Sequence, residues 1–513
     1  MPDRLTPPPA RSRSARQIAH HDPYDVAALT LIATLLAVAL VVFCDYAVSN
    51  DEEVQHRYGE LIYAYYASGL TDRAVFAFKN LYLYGGLFDL IAVLIAHVVP
   101  ADVFVIRHLM CVVIGIGGLA ATWATARLVA GPRAGLIATV ALAVCGPWFG
   151  SIFNHTKDIP FAAAMIGASY FLIRATRDLP RPQLRHLLAF GLLLGAALGQ
   201  RAMGVLLILY VLLAVALRAP RPFTPAGHVR FMAQSTLLFV PAFALGYLIM
   251  IVGWPWAALH LFNPLQAVFA FAHFHYPVKT LLAGELYLMA DVPRWYVPAY
   301  FAIKLPLSVL FGSALGLLFA IGLWRSSATR AKESAFIAFT AAFPVICQVI
   351  GHGPAFSGLR HFLFAVPPLA VLAGIGFDSG LTWLEARRRA LAAAAFAAIA
   401  LWLLWPASVL VRLHPYEALY FNELVGGLPG AAQRYDTDYW VNGMHEMVAE
   451  LDALLDREGK GSRRYFVAVC GERLPFELEA GGTRASFGPT TTIRPISSSR
   501  RRIWVATARS TAR

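Results

Sequence analysis

The chain carries one apolar stretch after another, each close to the length that crosses a bilayer, and this limits its fold more than any other feature. A spanning helix needs about 20 mostly apolar residues to traverse about 30 Å of hydrocarbon. Such stretches fall at 26–48, 103–129, 133–151, 158–175, 186–200, 202–218, 232–254, 299–323, 334–350, 361–378 and 390–411. Composition agrees: 58% of residues are hydrophobic and 14% charged, against about 45–50% and about 25% in soluble domains. The sequence predicts an all-α polytopic membrane protein with about eleven transmembrane helices. The apolar stretch 85–99 is too short to span and reads as a helix at the interface.

Charge placement sets an expected orientation. With the N-terminus inside, the inner loops hold Arg4, Arg11, Arg13 and Arg16, then Arg127 and Arg133, then Arg174, Arg177, Arg181 and Arg185. Arg218, Arg221 and Arg230, Arg325, Arg330 and Lys332, and Arg387, Arg388 and Arg389 continue the pattern, while the outer loops hold far fewer cations. The positive-inside rule is met at every inner loop. Residues 1–25 then form a disordered cytoplasmic tail, 26–411 the transmembrane domain, and 412–513 an extracytoplasmic soluble domain. Two outer loops are long, at 49–102 and 256–298. The tail has Met444, Val448, Leu451 and Leu455 at helical spacing within 442–456, and β-rich runs at 465–470 and 503–508. These predict a small C-terminal α/β domain.

The net charge of +13 does not indicate nucleic-acid binding, because the arginines are dispersed between apolar segments as topology signals. Cys44, Cys111, Cys145, Cys347 and Cys470 include no CxxC pair, so neither a metal cluster nor a disulfide framework is expected. Gly115-Ile116-Gly117-Gly118 lies inside an apolar span and is a packing point, not a nucleotide loop.

Ionisable residues at a membrane edge are costly unless paired or used, and here they gather on the outer side. Asp51, Glu52, Glu53 and His56 follow the first span, and Asn154, His155, Lys157 and Asp158 fill a short turn. Arg201, His273, His275, His352, Arg360 and His361 complete the set. A carboxylate at 51–53 can serve as a general base, or can cap the helix that begins there. Asp158 offers a second carboxylate, with Lys157 pairing it or a phosphate. Asn154-His155-Thr156 matches a glycosylation acceptor pattern only by chance, because the turn is tight and close to the bilayer. Arg201 alone reads as a snorkelling residue, but with Lys157 and Arg360 it suits a phosphate head group such as that of undecaprenyl phosphate, the alternative being an ordinary anionic phospholipid. His273 and His275, spaced i, i+2, have no partner at reliable metal-ligand spacing.

The order Asn50-Asp51-Glu52-Glu53, Tyr58-Gly59, Leu87-Phe88-Asp89, Arg107-His108-Leu109, Phe153 to Phe161, Gly358 to Phe362 and Tyr420 to Gly427 resembles the GT-C superfamily of polyprenyl-phosphate-sugar-dependent glycosyltransferases. It is similar to the branch containing protein O-mannosyltransferases and the lipid A aminoarabinose transferase. The resemblance covers about residues 25 to 440. It implies a GT-C-like fold and a multi-pass protein of the inner (plasma) membrane, with its active site facing the periplasm. It also implies inverting transfer of a sugar from a polyprenyl-phosphate or pyrophosphate donor to a glycan, lipid or protein acceptor. Under it, Asp51 is the catalytic base supported by Glu52, and Asp158 is the second acidic residue. Lys157, Arg201, Arg360 and His361 hold the donor phosphate, while His56, Asn154, His155, His273 and His275 are candidates to contact substrate. Some members use a divalent metal and others do not, so no metal or other cofactor is assigned.

The competing readings are a polytopic transporter or lipid flippase and a non-catalytic scaffold. Transporters place charge near mid-membrane, at broken helices in related halves, whereas these charges sit at one edge. A scaffold explains the tail but not the paired acids and bases in short turns.

Overall fold

The computed structural model describes residues 22–220, 224–274, 276–323, 329–457, 465–467, 473–480, 485–487, 494–498 and 501–506. His275, Cys470 and the N-terminal tail through residue 21 lie outside the described residues.

The expected spans fall on helices or, at 133–151, 232–254 and 299–323, on pairs of helices bent at a break. In chain order the first are α1 (Pro23–Val42), α2 (Glu52–Ala67), α3 (Leu87–Ala96), α4 (Val103–Ala130), α5 (Pro132–Ala143), α6 (Gly146–Phe149), α7 (Asp158–Arg177) and α8 (Leu184–Leu198). Among the described residues six helices are long and apolar enough to cross a membrane, or up to nine if each of three bent pairs is one span. The pairs are α5 with 146–152, Pro225–Leu237 with Val240–Gly253, and Tyr296–Lys304 with 307–322, bent by 72°, 47° and 115°. The helices Leu184–Leu198 and Ala202–Arg218 are apolar but shorter.

Local sequence sets the boundaries. Asp22 caps α1 by accepting from the Tyr24 amide, and Pro23 occupies the first helical position, where a missing N–H costs nothing. Asp102 caps α4 through the amides of Phe104 and Val105, satisfying donors that the helix cannot. Gly131, at φ +103°, turns α4 into α5, and Pro132 restarts the helix.

Burial orders the bundle. The 158–177 and 360–385 segments are 78% and 83% buried, whereas α1 and Arg389–Leu413 are 11% and 17% buried, so the former are central and the latter lie at the rim. One end of the bundle is tied by ion pairs: Arg127 to Asp25, Arg133 to Asp378 and Glu385, and both Arg177 and Arg218 to Glu333. Arginines expected only as topology signals thus also neutralise buried carboxylates.

The opposite end collects the loops. Helix α3, ten residues long, packs on α2 and α4. A hairpin pairs Lys279–Leu282 with Glu285–Leu288. Its turn, Ala283 at φ +54° and Gly284 at φ +92°, has the doubly positive φ that two-residue hairpins favour. Beyond the last span, Met444–Arg457 is helical and buries Met444, Val448, Leu451 and Leu455. Tyr465–Val467 pairs with Ala485–Phe487 in parallel and with Arg501–Ala506 antiparallel, and Arg494–Ser498 pairs with Arg501–Ala506.

Candidate active site

The triplet Asp51-Glu52-Glu53 splits three ways. Asp51 occupies the N-cap position of α2 but makes no capping bond. Its Oδ2 instead accepts from Arg360 Nη2 at 2.5 Å, which decides against the simple capping reading. Glu52 points inward and is fully buried. Its Oε2 accepts from the Ser49 amide at 2.8 Å and lies 3.2 Å from His108 Nε2, and its Oε1 lies 3.6 Å from Arg107 Nε. Glu53 is exposed. Burial pushes the Glu52 carboxyl up, but His108, its hydrogen bond and Arg107 outweigh this and hold it below the usual carboxylate range.

Glu52 is therefore part of a buried network beneath the site. Arg107 Nη1 sits 2.9 Å from Asp89 Oδ1, and Arg107 Nη2 donates to Gln55 and Thr156 at 3.2 and 2.9 Å. This arginine links α2, α3, α4 and the 153–157 turn. Charges so buried persist only when paired. The sequence signal for Arg107 and His108 is an Arg-His pair in an apolar run.

The 153–157 turn brings Asp158 and Lys157 under Asp51. Asp158, 2% exposed, is held by Arg201 Nη2 and lies 3.3 Å from Arg360 Nε. Arg201 is itself buried and does not snorkel, because Asp158 recruits it. Arg360 thus spans both carboxylates, and its guanidinium carbon lies 4.1 Å from the Trp440 ring centre and 4.8 Å from that of Tyr439. Lys157 does not pair with Asp158. Its ammonium sits 4.6 Å from the centre of the Tyr84 ring and makes no ion pair with any described residue. Burial pulls the Lys157 ammonium down to about 8, only partly offset by Asp89. Burial likewise raises the Tyr84 hydroxyl to about 12.

Backbone contact fixes this corner. A Cβ at Gly85 would stand 2.0 Å from the Gly199 carbonyl oxygen, so only glycine permits the approach. The Leu87 amide donates to that same carbonyl at 3.0 Å. Tyr84 is thereby anchored beside Gln200 and Arg201. Next to it an apolar groove of about 400 Å³ runs down the bundle. Small side chains open it, Gly117 and Ala121 on α4 and Ala163, Ala164 and Gly167 on α7, while Leu87 and Gln200 stand at its head. The Gln200 side-chain oxygen is buried without a hydrogen-bond partner.

The other candidates fall around this centre. His361 packs edge-on to Phe356 beside Arg360, with ring centres 4.8 Å apart. Asn154 donates to the Ala47 carbonyl and to Asn442 Oδ1, tying the turn to the tail. His155 packs on Trp440 with ring centres 4.6 Å apart and planes tilted by 39°, and burial pulls it down to about 4, so it is neutral. His56 is not drawn in: it lies 3.4 Å from Glu60 and packs against Phe104. His273 is exposed after its helix, with Nδ1 3.0 Å from the Phe269 carbonyl. Among the described residues no three His, Cys, Asp or Glu side chains are grouped to hold a metal ion.

The sequence reading passed over several residues that the fold brings here. Lys304, a lone lysine in an apolar stretch, bonds the Ala418 carbonyl at 2.8 Å. Asp436, Asp438, Tyr439 and Trp440 come from the segment after the last span and reach back over Arg360. Their signal was a hydrophilic stretch interrupted by adjacent aromatics.

Comparisons with known proteins agree with the resemblance read from sequence. Residues 87–245 match the profile of the dolichyl-phosphate-mannose-protein mannosyltransferase family. No curated protein sequence matches the chain. The structure is similar to ArnT from Cupriavidus metallidurans bound to undecaprenyl phosphate, with a TM-score of 0.50 and 15% identity over 94% of this chain and 98% of that one. The apo form of the same protein aligns at TM-score 0.47 and 18% identity, covering 88% and 85% of the two chains. The oligosaccharyltransferase AglB from Archaeoglobus fulgidus, in complex with an inhibitory peptide and a dolichol-phosphate, aligns at TM-score 0.49 and 13% identity over 84% of this chain and 59% of that one. The chain has a GT-C-like fold and is a multi-pass membrane protein.

Proposed function

We propose that the protein is a membrane glycosyltransferase that moves a sugar from a polyprenyl-phosphate carrier to an acceptor at the extracytoplasmic face of the inner membrane. The observation that carries this reading is Lys157. It is a buried cation without an ion pair among the described residues, in a cluster where Arg201 and Arg360 already balance Asp51 and Asp158. Asp89 also acts on Lys157 but is bonded to Arg107, so Lys157 is the cation of this cluster with no carboxylate bonded to it and is the one open to a phosphodiester anion. The neighbouring groove is apolar and begins at Leu87 and Gln200, so one ligand with a phosphate head and a hydrocarbon tail satisfies both. The stretch 87–245 that matches the mannosyltransferase profile contains Lys157, Asp158 and Arg201, and ArnT holds undecaprenyl phosphate in a similar fold.

In this reading Lys157, Arg201 and Arg360 hold the carrier phosphate, with His361 beside them. Asp51, whose side chain is 31% exposed against 1% for Asp158, is the carboxylate that acceptor can reach. It removes the proton from the acceptor nucleophile as that atom bonds to the anomeric carbon. The bond from that carbon to the phosphate oxygen breaks, and the three cations stabilise the charge left on the phosphate. One displacement without a covalent intermediate inverts the anomeric centre. Asp158 positions Arg201 and Arg360, and Glu52 orients the start of α2. The arginine-rich ends of the spans face the cytoplasm, with the N-terminus inside and the segment after residue 411 outside.

Binding of undecaprenyl phosphate to the protein in lipid nanodiscs tests the carrier. Lys157→Gln should weaken it by about tenfold or more, the scale of a lost charged hydrogen bond. Equal binding by the two proteins would remove the carrier phosphate from this site. The sugar and acceptor are found by mass spectrometry of lipid-linked sugars and envelope glycans that change on gene deletion.

A further inference from the structure

A second compartment is lined by Arg360 but not by Lys157. It is a narrow cleft of about 60 Å³, walled by Ser151, His155, Lys304, Ser357, Tyr439 and Trp440. Its roof is the segment 436–442, which is anchored at both ends. Asp436 accepts from the Leu281 amide of the hairpin at 3.0 Å and from Thr280 Oγ1. At the other end the Trp440 carbonyl accepts from the Asn50 amide, and Asn442 accepts from Asn154. Asp438 is spent inside the roof, accepting from the amides of Asn442 and Gly443. The roof is thus a preformed strap rather than a loose loop.

Two of the residues that line this cleft carry unpaired polar atoms. His155 Nε2 and Ser357 Oγ are both buried without hydrogen-bond partners, and His155 is 6% exposed. Buried polar atoms are nearly always paired, so a ligand that hydrogen-bonds both would recover that cost. The walls also present two aromatic rings, Tyr439 and Trp440. A neutral imidazole, a hydroxyl and aromatic faces match a ring that is apolar on its faces and hydroxylated at its edge.

We propose that this compartment receives the glycosyl unit of the donor, with His155 and Ser357 hydrogen-bonding its hydroxyls under the Tyr439–Trp440 strap. The assignment rests on the carrier reading above, because Arg360 is the shared wall: it faces Asp51 and Asp158 on one side and Trp440 on the other. A phosphate held by Lys157 and Arg201 would then have its sugar on the strap side, with the anomeric carbon near Asp51. Sugar choice is therefore written partly in the segment after the last span, outside the 87–245 region that matches the mannosyltransferase profile.

The test compares bare undecaprenyl phosphate with undecaprenyl-phosphate mannose and undecaprenyl-phosphate glucose, bound to the full chain in nanodiscs. At least one sugar-bearing carrier should bind more tightly than the bare one, by about fivefold or more for two hydrogen bonds. His155→Ala should erase that increment while leaving the bare carrier unchanged. Ser357→Gly should reduce it, and this variant keeps the backbone at ease because Ser357 sits at φ +57°. The proposal is overturned if bare and sugar-bearing carriers bind alike, or if the increment survives both substitutions. It is also overturned if the substitutions raise only the KM of the acceptor, which would put the acceptor in the cleft. Failure of bare carrier to bind, or to respond to Lys157→Gln, counts against the carrier reading and is separate from the increment.

Discussion

Arg360 and Asp51, 309 residues apart in the chain, meet with Nη2 2.5 Å from Oδ2. The same guanidinium lies 3.3 Å from Asp158 at Nε. Removing the Asp51 charge therefore leaves Arg360 paired. Asp51→Asn should keep expression and membrane insertion while lowering the turnover of sugar transfer by about 10²–10⁴-fold, the usual contribution of a general base. Transfer at the wild-type rate would remove Asp51 from that role.

Lys157 gives a pH dependence with a defined sign. Burial holds its ammonium down at about 8, so it is charged below that pH and loses its proton above it. The carrier phosphate is already ionised in that range. Affinity for undecaprenyl phosphate should fall as pH rises through about 8. Lys157→Arg, charged throughout, should bind with a flat profile. A wild-type profile that is flat, or that rises, contradicts the assignment; calorimetric or fluorescence titration reads it.

The Glu52 network should govern stability. Arg107→Met strands Asp89 and Glu52 in a buried site, a loss of about 3–5 kcal/mol for a broken buried pair, read as a lower unfolding temperature in detergent. Glu52 is held below its unfolded value, so its contribution is present above the ordinary carboxylate range of about 4 and is lost as pH falls through the folded value. The stability gap between wild type and Glu52→Gln should narrow on acidification. A gap that widens there would show that the carboxylate is not held ionised.

The groove can be filled without disturbing the packing. A Cβ at Gly117 would meet no atom within 4 Å, so Gly117→Phe places a ring in the open space. Transfer from a long-chain donor should lose affinity, seen in KM, while a donor with only a few isoprene units keeps it. Equal KM changes for both donors would place the carrier tail elsewhere.

Gly85 tests the corner that positions Tyr84 and Leu87. Gly85→Ala puts a methyl 2.0 Å from the Gly199 carbonyl oxygen, against backbone that cannot rotate away. The α3 segment must move, and both thermal stability and undecaprenyl phosphate binding should fall. Normal binding by a stable Gly85→Ala protein would show that the corner is not part of the site.

Much of this was present in the primary structure, because lipid leaves little choice. Apolar stretches of spanning length at 158–175 and 361–378 have to become helices, and charged residues at their ends have to be used or paired. That reasoning picked out Asp51, Asp158, Lys157, Arg201 and Arg360 one by one from their local surroundings. What it did not supply was their partners. Lys157 next to Asp158 in sequence suggested a pair, yet the first residues of α7 send the two side chains apart. Asp158 takes Arg201 and Arg360 instead, and Lys157 faces Tyr84. Glu52, adjacent to Asp51, turns inward to Arg107 and His108, since neighbouring helix positions point about 100° apart. Tyr439 and Trp440 become walls of the site only because the hairpin and Asn154 hold their segment across the bundle end. Periodicity, hydropathy and charge are properties of one segment and survive in a linear string. Contacts between segments hundreds of residues apart depend on where each helix starts and which way it faces, and only the folded chain decides that.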